Sequence, residues 1–236
     1  MVFAPPQKEG PMHTLRFAAL AASAMVLCAG GAQGATVSSV ATVLLPDAST
    51  ATIGPVTAPA PNNDNATSTS PNAVPYSVFF NTLGPLDVEF ATSDSGGTTE
   101  YRFAQNFVNN TGQAWIGFRF ELGYGVGAAF TASGADGLDF DTPGADPASL
   151  ASLFPVLRQL DDRIDWSGGS VPSVGSLALE FAVDVPDGLA AFHPSQLSRF
   201  TLRQTPIVAA EVPEPSSLLL LGGGLMALGL RRRRAG

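Results

Sequence analysis

The chain has 236 residues, 45% of them hydrophobic and only 14% charged, with 25 glycines, 19 prolines and a net charge of −8. Between Ala35 and Ala210, six arginines face seventeen carboxylates, a balance of −11 that leaves no basic patch to neutralise phosphates and argues against nucleic acid as a partner. Cys28 is the single cysteine and sits in the first apolar stretch, so disulfides, thiol redox chemistry and cysteine-held zinc are excluded from everything after it.

Residues 1–34 read as a signal peptide with its signal helix. His13-Thr-Leu-Arg16 supplies a positive start, and Phe17 to Cys28 supplies an apolar run of twelve residues, inside the range of about 7–15 expected of such a core. Ala32 and Gly34 are the small residues a signal peptidase reads, which predicts cleavage before Ala35. Met12 is a second candidate start. Leu27 stands where a lipidation site before Cys28 would need a small residue.

Residues 35–75 combine one expected strand, Thr36 to Leu45, with a loop or linker rich in Ser, Thr, Pro and Asn from Pro59 to Pro71. Asn65-Ala-Thr67 and Asn109-Asn-Thr111 match the short glycosylation sequon.

Residues 76–207 change to a period of two. Leu86, Val88 and Phe90 alternate with Asp87 and Glu89; Tyr101, Phe103 and Phe107 fall on one face of their segment; so do Ile116, Phe118, Phe120 and Leu122; Leu177, Leu179, Phe181, Val183 and Val185 repeat the pattern. Alternation of this kind buries one face and leaves the other wet. Half-buried antiparallel strands need a second apolar layer, and the expected fold is an all-β, jelly-roll-like antiparallel β-sandwich. One short helix is predicted over Asp146 to Phe154, capped by Asp146 with Pro147 in its first turn.

Candidate chemistry is sparse. Asp136, Asp139 and Asp141 lie in a glycine-rich stretch where carboxylates can converge on Ca²⁺; the plainer account is a solvated acidic turn with Leu138 and Phe140 packed inward. Asp161, Asp162 and Asp165 beside Trp166 have the composition of a glycoside hydrolase site, against which stands an exposed strand end. Trp115, Phe118 and Tyr124 would suit a sugar platform or a core. His193 is the only histidine after the signal, it precedes Pro194, and no Gly-x-Ser-x-Gly elbow accompanies it. The chain is expected not to be an enzyme and to need no cofactor beyond that Ca²⁺ candidate.

Residues 208–236 form a sorting tail. Val212-Pro213-Glu214-Pro215-Ser-Ser217 is extended and polar; an apolar run over 216–230, about 22 Å long as a transmembrane helix at ~1.5 Å per residue, follows; Arg231, Arg232, Arg233 and Arg234 close it. The arginines hold their end in the cytoplasm, and the apolar run is short for a full span. With the signal sending the domain outward, the orientation is consistent at both ends.

These three parts, in this order, resemble the PEP-CTERM sorting signal. The resemblance implies a Gram-negative exported protein cut by an exosortase, with Val212, Pro213, Glu214 and Pro215 as the element the exosortase recognises. It also implies a precursor tethered transiently in the inner membrane and facing the periplasm, transfer to the cell surface or extracellular matrix, and association with exopolysaccharide in a biofilm. Residues 75–206 resemble the choice-of-anchor F family through Asn109-Asn-Thr-Gly112, Trp115-Ile-Gly-Phe118, Glu121-Leu-Gly123, Asp136-Gly-Leu138 and Phe200-Thr-Leu-Arg-Gln204. That family implies an extracellular β domain and brings no established activity or ligand with it. The expectation is a structural or adhesive surface protein. The alternatives are a secreted polysaccharide-active hydrolase, or a carbohydrate- or Ca²⁺-binding module anchored permanently in the inner membrane.

Overall fold

The computed structural model describes residues 35–57, 70–141 and 150–209. The predicted signal, the Pro59–Pro71 loop with Asn65, and the sorting tail lie outside these residues or almost so.

Among the described residues the chain is built from mostly antiparallel sheets. One holds seven strands: β1 (Thr36–Leu44), β4 (Leu86–Ser93), β13 (Arg199–Val208), β6 (Trp115–Tyr124), β11 (Arg163–Val171) and β10 (Val156–Gln159) in that order, with β7 (Thr131–Ala132) paired to β6. The other orders β2 (Thr50–Ile53), β3 (Ala73–Phe80), β5 (Thr98–Asn109), β12 (Ser176–Pro186) and β8 (Asp139–Phe140), with β9 (Leu150–Ala151) paired to β12. The pairing of β3 with β5 is parallel, Ala73 opposite Arg102 through Phe80 opposite Asn109, where the sequence predicts antiparallel partners throughout. Long excursions between these two strands carry the chain through β4 in the other sheet, which is how a parallel neighbour arises without a helix.

The apolar faces of the two sheets meet in one aromatic core. Phe107 stacks on Phe118 at 4.8 Å between centroids, Phe120 meets Phe181 at 4.7 Å, and Phe90 meets Phe103 edge-on at 5.5 Å, each pair joining one sheet to the other. Offset and edge-to-face geometry of this kind adds about 0.5–1.5 kcal/mol per pair to the burial of the rings. Trp115, Phe118 and Tyr124 all belong to this buried set, so they present no platform to a sugar.

Three local expectations change. Ile116 is 43% exposed although it shares the parity of Phe118. Gly117 pairs with Ile207 while Trp115 pairs with Val208, so Ile116 is the extra residue of a bulge that turns Trp115 inward in its place. The predicted helix over Asp146 to Phe154 is not formed in its described part: Leu150 and Ala151 pair with Glu180 and Leu179 as a strand. A strand partner along the β12 edge supplies hydrogen bonds that a single exposed helical turn lacks. Asn109, finally, is fully buried and is no glycosylation acceptor in the folded chain. Its Nδ2 donates to the carbonyls of Gln113, Val171 and Pro172, and its Oδ1 accepts from the backbone N–H and the hydroxyl of Thr111.

Candidate functional site

The alternation in β4 predicts a wet face for Asp87 and Glu89, yet both are buried, at 1% and 5% exposure. Two segments lie over that face: the one through the 3₁₀ turn Gly127–Ala129, and the one through the 3₁₀ turn Leu189–Ala191 that ends in His193. Asp87 Oδ1 accepts from Arg203 Nε at 2.7 Å, and Oδ2 accepts from Arg203 Nη2 at 2.8 Å and from the Gly127 N–H at 2.6 Å. The guanidinium of Arg203 also lies 3.9 Å over the ring of Phe130 and donates to the Gly127 carbonyl. This bidentate pair lets one carboxylate hold a strand and a covering loop together.

Glu89 is held in the same way. Its Oε2 accepts from Arg199 Nη1 at 2.9 Å and from the Thr42 hydroxyl at 3.2 Å; its Oε1 lies 3.1 Å from His193 Nε2. The Ser195 N–H points at His193 Nδ1, so Nδ1 accepts and Nε2 donates to Glu89. Burial pushes the Glu89 carboxyl up, but the bonds from His193, Arg199 and Thr42 and the charge of Arg199 outweigh it, and the group titrates below the ordinary glutamate range.

The network continues as charge ladders across the seven-stranded sheet. Asp87, Arg203, Glu121 and Arg163 stand in register on β4, β13, β6 and β11; Arg119, Asp165 and Arg158 do so on β6, β11 and β10. Opposite charges directly across strands stabilise the pairing by about 0.2–1 kcal/mol each. Asp165 is pinned by Arg119 at 2.6 Å and Arg163 at 3.0 Å, and the bond to Asp165 holds the Arg119 guanidinium even more firmly protonated.

The structure does not assemble the other sequence candidates. Asp161 and Asp162 form the turn between β10 and β11, where their backbone carbonyls accept from Phe140 and Leu122, and Trp166 is buried in the core. Asp136 closes its own turn. Its carboxylate accepts from the N–H groups of Gly134 and Leu138 and from the Tyr124 hydroxyl at 2.8 Å. Burial and the adjacent Asp136 together push the Tyr124 phenol well above its usual value. Asp139 lies on β8 opposite Asp184, and Asp141 follows Phe140. Among the described residues no group of three or more His, Cys, Asp or Glu is placed to hold a metal ion, Asp136, Asp139 and Asp141 included. The sequence offered one signal for the real cluster: two acids at Asp87 and Glu89 and two bases at Arg199 and Arg203, each set on one face of its strand.

A cleft of about 480 Å³ opens on the outer face of the other sheet. Ala104 and Ala178 floor it, with Asn106, Ser152 and Glu180 around it; Arg102 holds Glu180 at 2.9 Å. Small floor residues flanked by amide, hydroxyl and charged groups make an open, polar-edged recess.

No helix among the described residues is long and apolar enough to cross a membrane, and the predicted transmembrane run 216–230 lies outside them. Comparison with curated proteins and with solved structures finds no match to the chain. The family model of the PEP-CTERM protein-sorting motif matches residues 211–234, the stretch from Glu211 through the last of the four arginines. The motif implies processing by an exosortase, export and sorting to the cell surface. Residues 211–234 of this chain are a PEP-CTERM protein-sorting motif.

Proposed function

We propose that the chain is an exported, non-enzymatic surface or matrix protein, structural or adhesive in role, which an exosortase releases from its tail in the inner membrane. The sorting motif at 211–234 carries this reading. A signal peptide cleaved before Ala35 by signal peptidase brings the domain to the periplasm, where the tail tethers it. Val212, Pro213, Glu214 and Pro215 present the extended segment that the exosortase grips, and Arg231 to Arg234 stop transfer. The two sheets serve as a jelly-roll-like sandwich of the choice-of-anchor F type, whose acidity keeps it soluble outside the cell and near exopolysaccharide. The engagement of both oxygens of each carboxylate favours this over a hydrolase: Asp165 is held by Arg119 and Arg163, and Glu89 by Arg199, Thr42 and His193, which leaves neither turned toward a substrate. Mass spectrometry of the surface-exposed protein tests the reading. Its mature form is expected to lack Arg231–Arg234, and the triple variant Pro213→Ala, Glu214→Ala, Pro215→Ala is expected to retain them in the inner membrane. An intact arginine cluster on the wild-type surface form overturns it.

The cleft over Ala104 and Ala178 favours a second reading, a carbohydrate-binding module. A glycan array probed with the released protein separates the two, since a purely structural role predicts no saturable binding.

A further inference from the structure

The two ends of the paired sheets differ in charge. At one end lie the segments 45–49, 81–85, 110–114, 152–155 and 172–175 and the exit of β13 at Val208, as the pairings of Leu44 with Asp87, Leu86 with Gln204, and Trp115 with both Val171 and Val208 require. Those segments contain a single charged residue, Asp47. At the other end the segments 94–97, 133–138, 160–162 and 187–198 carry Asp94, Asp136, Asp161, Asp162 and Asp187, with no lysine or arginine.

The charge-poor end also exposes apolar side chains. Leu83 is 38% exposed, Ile116 43%, Leu153 41%, Val156 53% and Val174 82%. Val174 is the most telling. It is β-branched, yet it takes φ 60° at the tip of the β11–β12 turn, a conformation that costs such a residue on the order of 1–3 kcal/mol. The core makes no use of its side chain. The turn is nevertheless fixed: the Gly175 N–H donates to Pro172 O at 2.9 Å, Val174 N–H to Asn109 O, and Asn109 N–H to Gly175 O at 2.8 Å. A rigid knot on the buried Asn109 thus holds an exposed valine outward. The acid-rich end exposes Leu160, Phe192 and Leu197 as well, but among five carboxylates.

We infer that the charge-poor end, with Val174, Ile116 and Leu83, rests on the surface of the bilayer while the sorting tail is inserted. This rests on the reading of residues 216–230 as membrane-embedded. Chain geometry supports it. From Ala209 to Ser216 there are seven residues, which reach at most about 25 Å when extended. The exit of β13 is therefore held close to the headgroups. Charge selects which end turns toward them. Anionic lipid repels the five loop carboxylates, whereas it meets one carboxylate at the β13 exit. The ten residues of β13 separate the two ends by about 33 Å at ~3.3 Å per residue, more than three screening lengths of ~8–10 Å. With the neutral end down, the acids stand clear of the lipid field. Apolar tips at the interface then add burial of about 25 cal/mol per Å².

The full chain with Cys28→Ser, carrying one cysteine at Val174→Cys or Leu197→Cys labelled with an environment-sensitive dye, is reconstituted into phosphatidylcholine–phosphatidylglycerol vesicles containing brominated lipid. Co-flotation in excess of the same chain ending at Ala209, which keeps the apolar run 17–28 but lacks the tail, reports tail insertion, and quenching reports depth. The chain is expected to float, the probe at 174 to lose most of its emission, and the probe at 197 to keep its own. A probe at Leu83→Cys is expected to be quenched as well, and to brighten when Val174→Asp and Ile116→Asp are added. Asp tolerates the left-handed conformation at 174, so that variant folds. Equal quenching at 174 and 197 in a floating chain overturns the inference and leaves the tail reading standing. Quenching at 174 that needs an added exosortase overturns it in favour of a protein partner. A chain that floats no better than the one ending at Ala209 overturns both.

Discussion

At the scale of single residues, the group that decides most is Glu89. A glutamate 5% exposed is tolerated only because three donors on three different segments reach it. Its carboxyl titrates lower in the folded chain than in the unfolded one. The linked stability is therefore complete above the unfolded value of about 4.3, and it drains away as the pH falls through the lower folded value. Urea midpoints measured from pH 7 down to pH 3 are expected to decline for the wild type below about pH 4. Glu89→Gln is expected to lose roughly 2 kcal/mol at pH 7, the scale of a hydrogen bond to a charged group, and to show a shallower decline in acid. Parallel pH profiles for the two proteins would mean that Glu89 is not the titrating lock. Asn109 makes the complementary point with a neutral side chain. As a sequon it reads as an exposed acceptor, but its amide is spent on the carbonyls of the β5–β6 and β11–β12 connections.

At the scale of elements, the bulge in β6 shows what periodicity can and cannot reveal. Alternation placed Phe118, Phe120 and Leu122 inward correctly, because each strand repeats its own local rule. It failed at Ile116, since one inserted residue inverts the parity and its only signature is the pairing across the sheet. Gly117 marks the spot. A Cβ there would lie 2.6 Å from the carbonyl oxygen of Trp166 on β11. Gly117→Ala is expected to push β6 and β11 apart and cost about 1–3 kcal/mol, the range for forced overpacking. Thermal melts check it: an unchanged midpoint would show that the bulge absorbs the methyl group. Glu180 and Arg102, or Asp87 and Arg203, follow the same logic of legibility. Strand faces were readable, but which charged face met a covering loop was not, because the 3₁₀ turns at Gly127–Ala129 and Leu189–Ala191 come from remote parts of the chain. The same limit hid the strand at Leu150–Ala151, whose partner is the β12 edge rather than anything nearby in sequence. The tail motif was legible because its three parts are contiguous and need no partner to be read.

At the scale of the whole molecule, the order of the strands couples folding to sorting. β13 is the last strand of the described residues, yet it lies between β4 and β6 in the middle of the seven-stranded sheet. Until it docks, β1 and β4 have no hydrogen-bonded link to β6, β11 and β10, and Phe200 and Leu202 leave the core unfilled. The same strand supplies Arg199 and Arg203, so Glu89 and Asp87 stay buried without their cations if it is missing. Residues 211–234 follow within a few positions. The sheet thus closes on the segment that leads into the sorting motif, and a protease that cuts within the motif leaves β13 in place. A chain ending at Ala209 is expected to unfold cooperatively, at the denaturant midpoint of the full chain held in detergent. A chain ending at Ser198 is expected to show no cooperative transition, since it lacks the central strand and the arginines that pair with two buried carboxylates. A cooperative transition in the chain ending at Ser198 would show that the two halves of the sheet are stable without β13 and would remove the coupling.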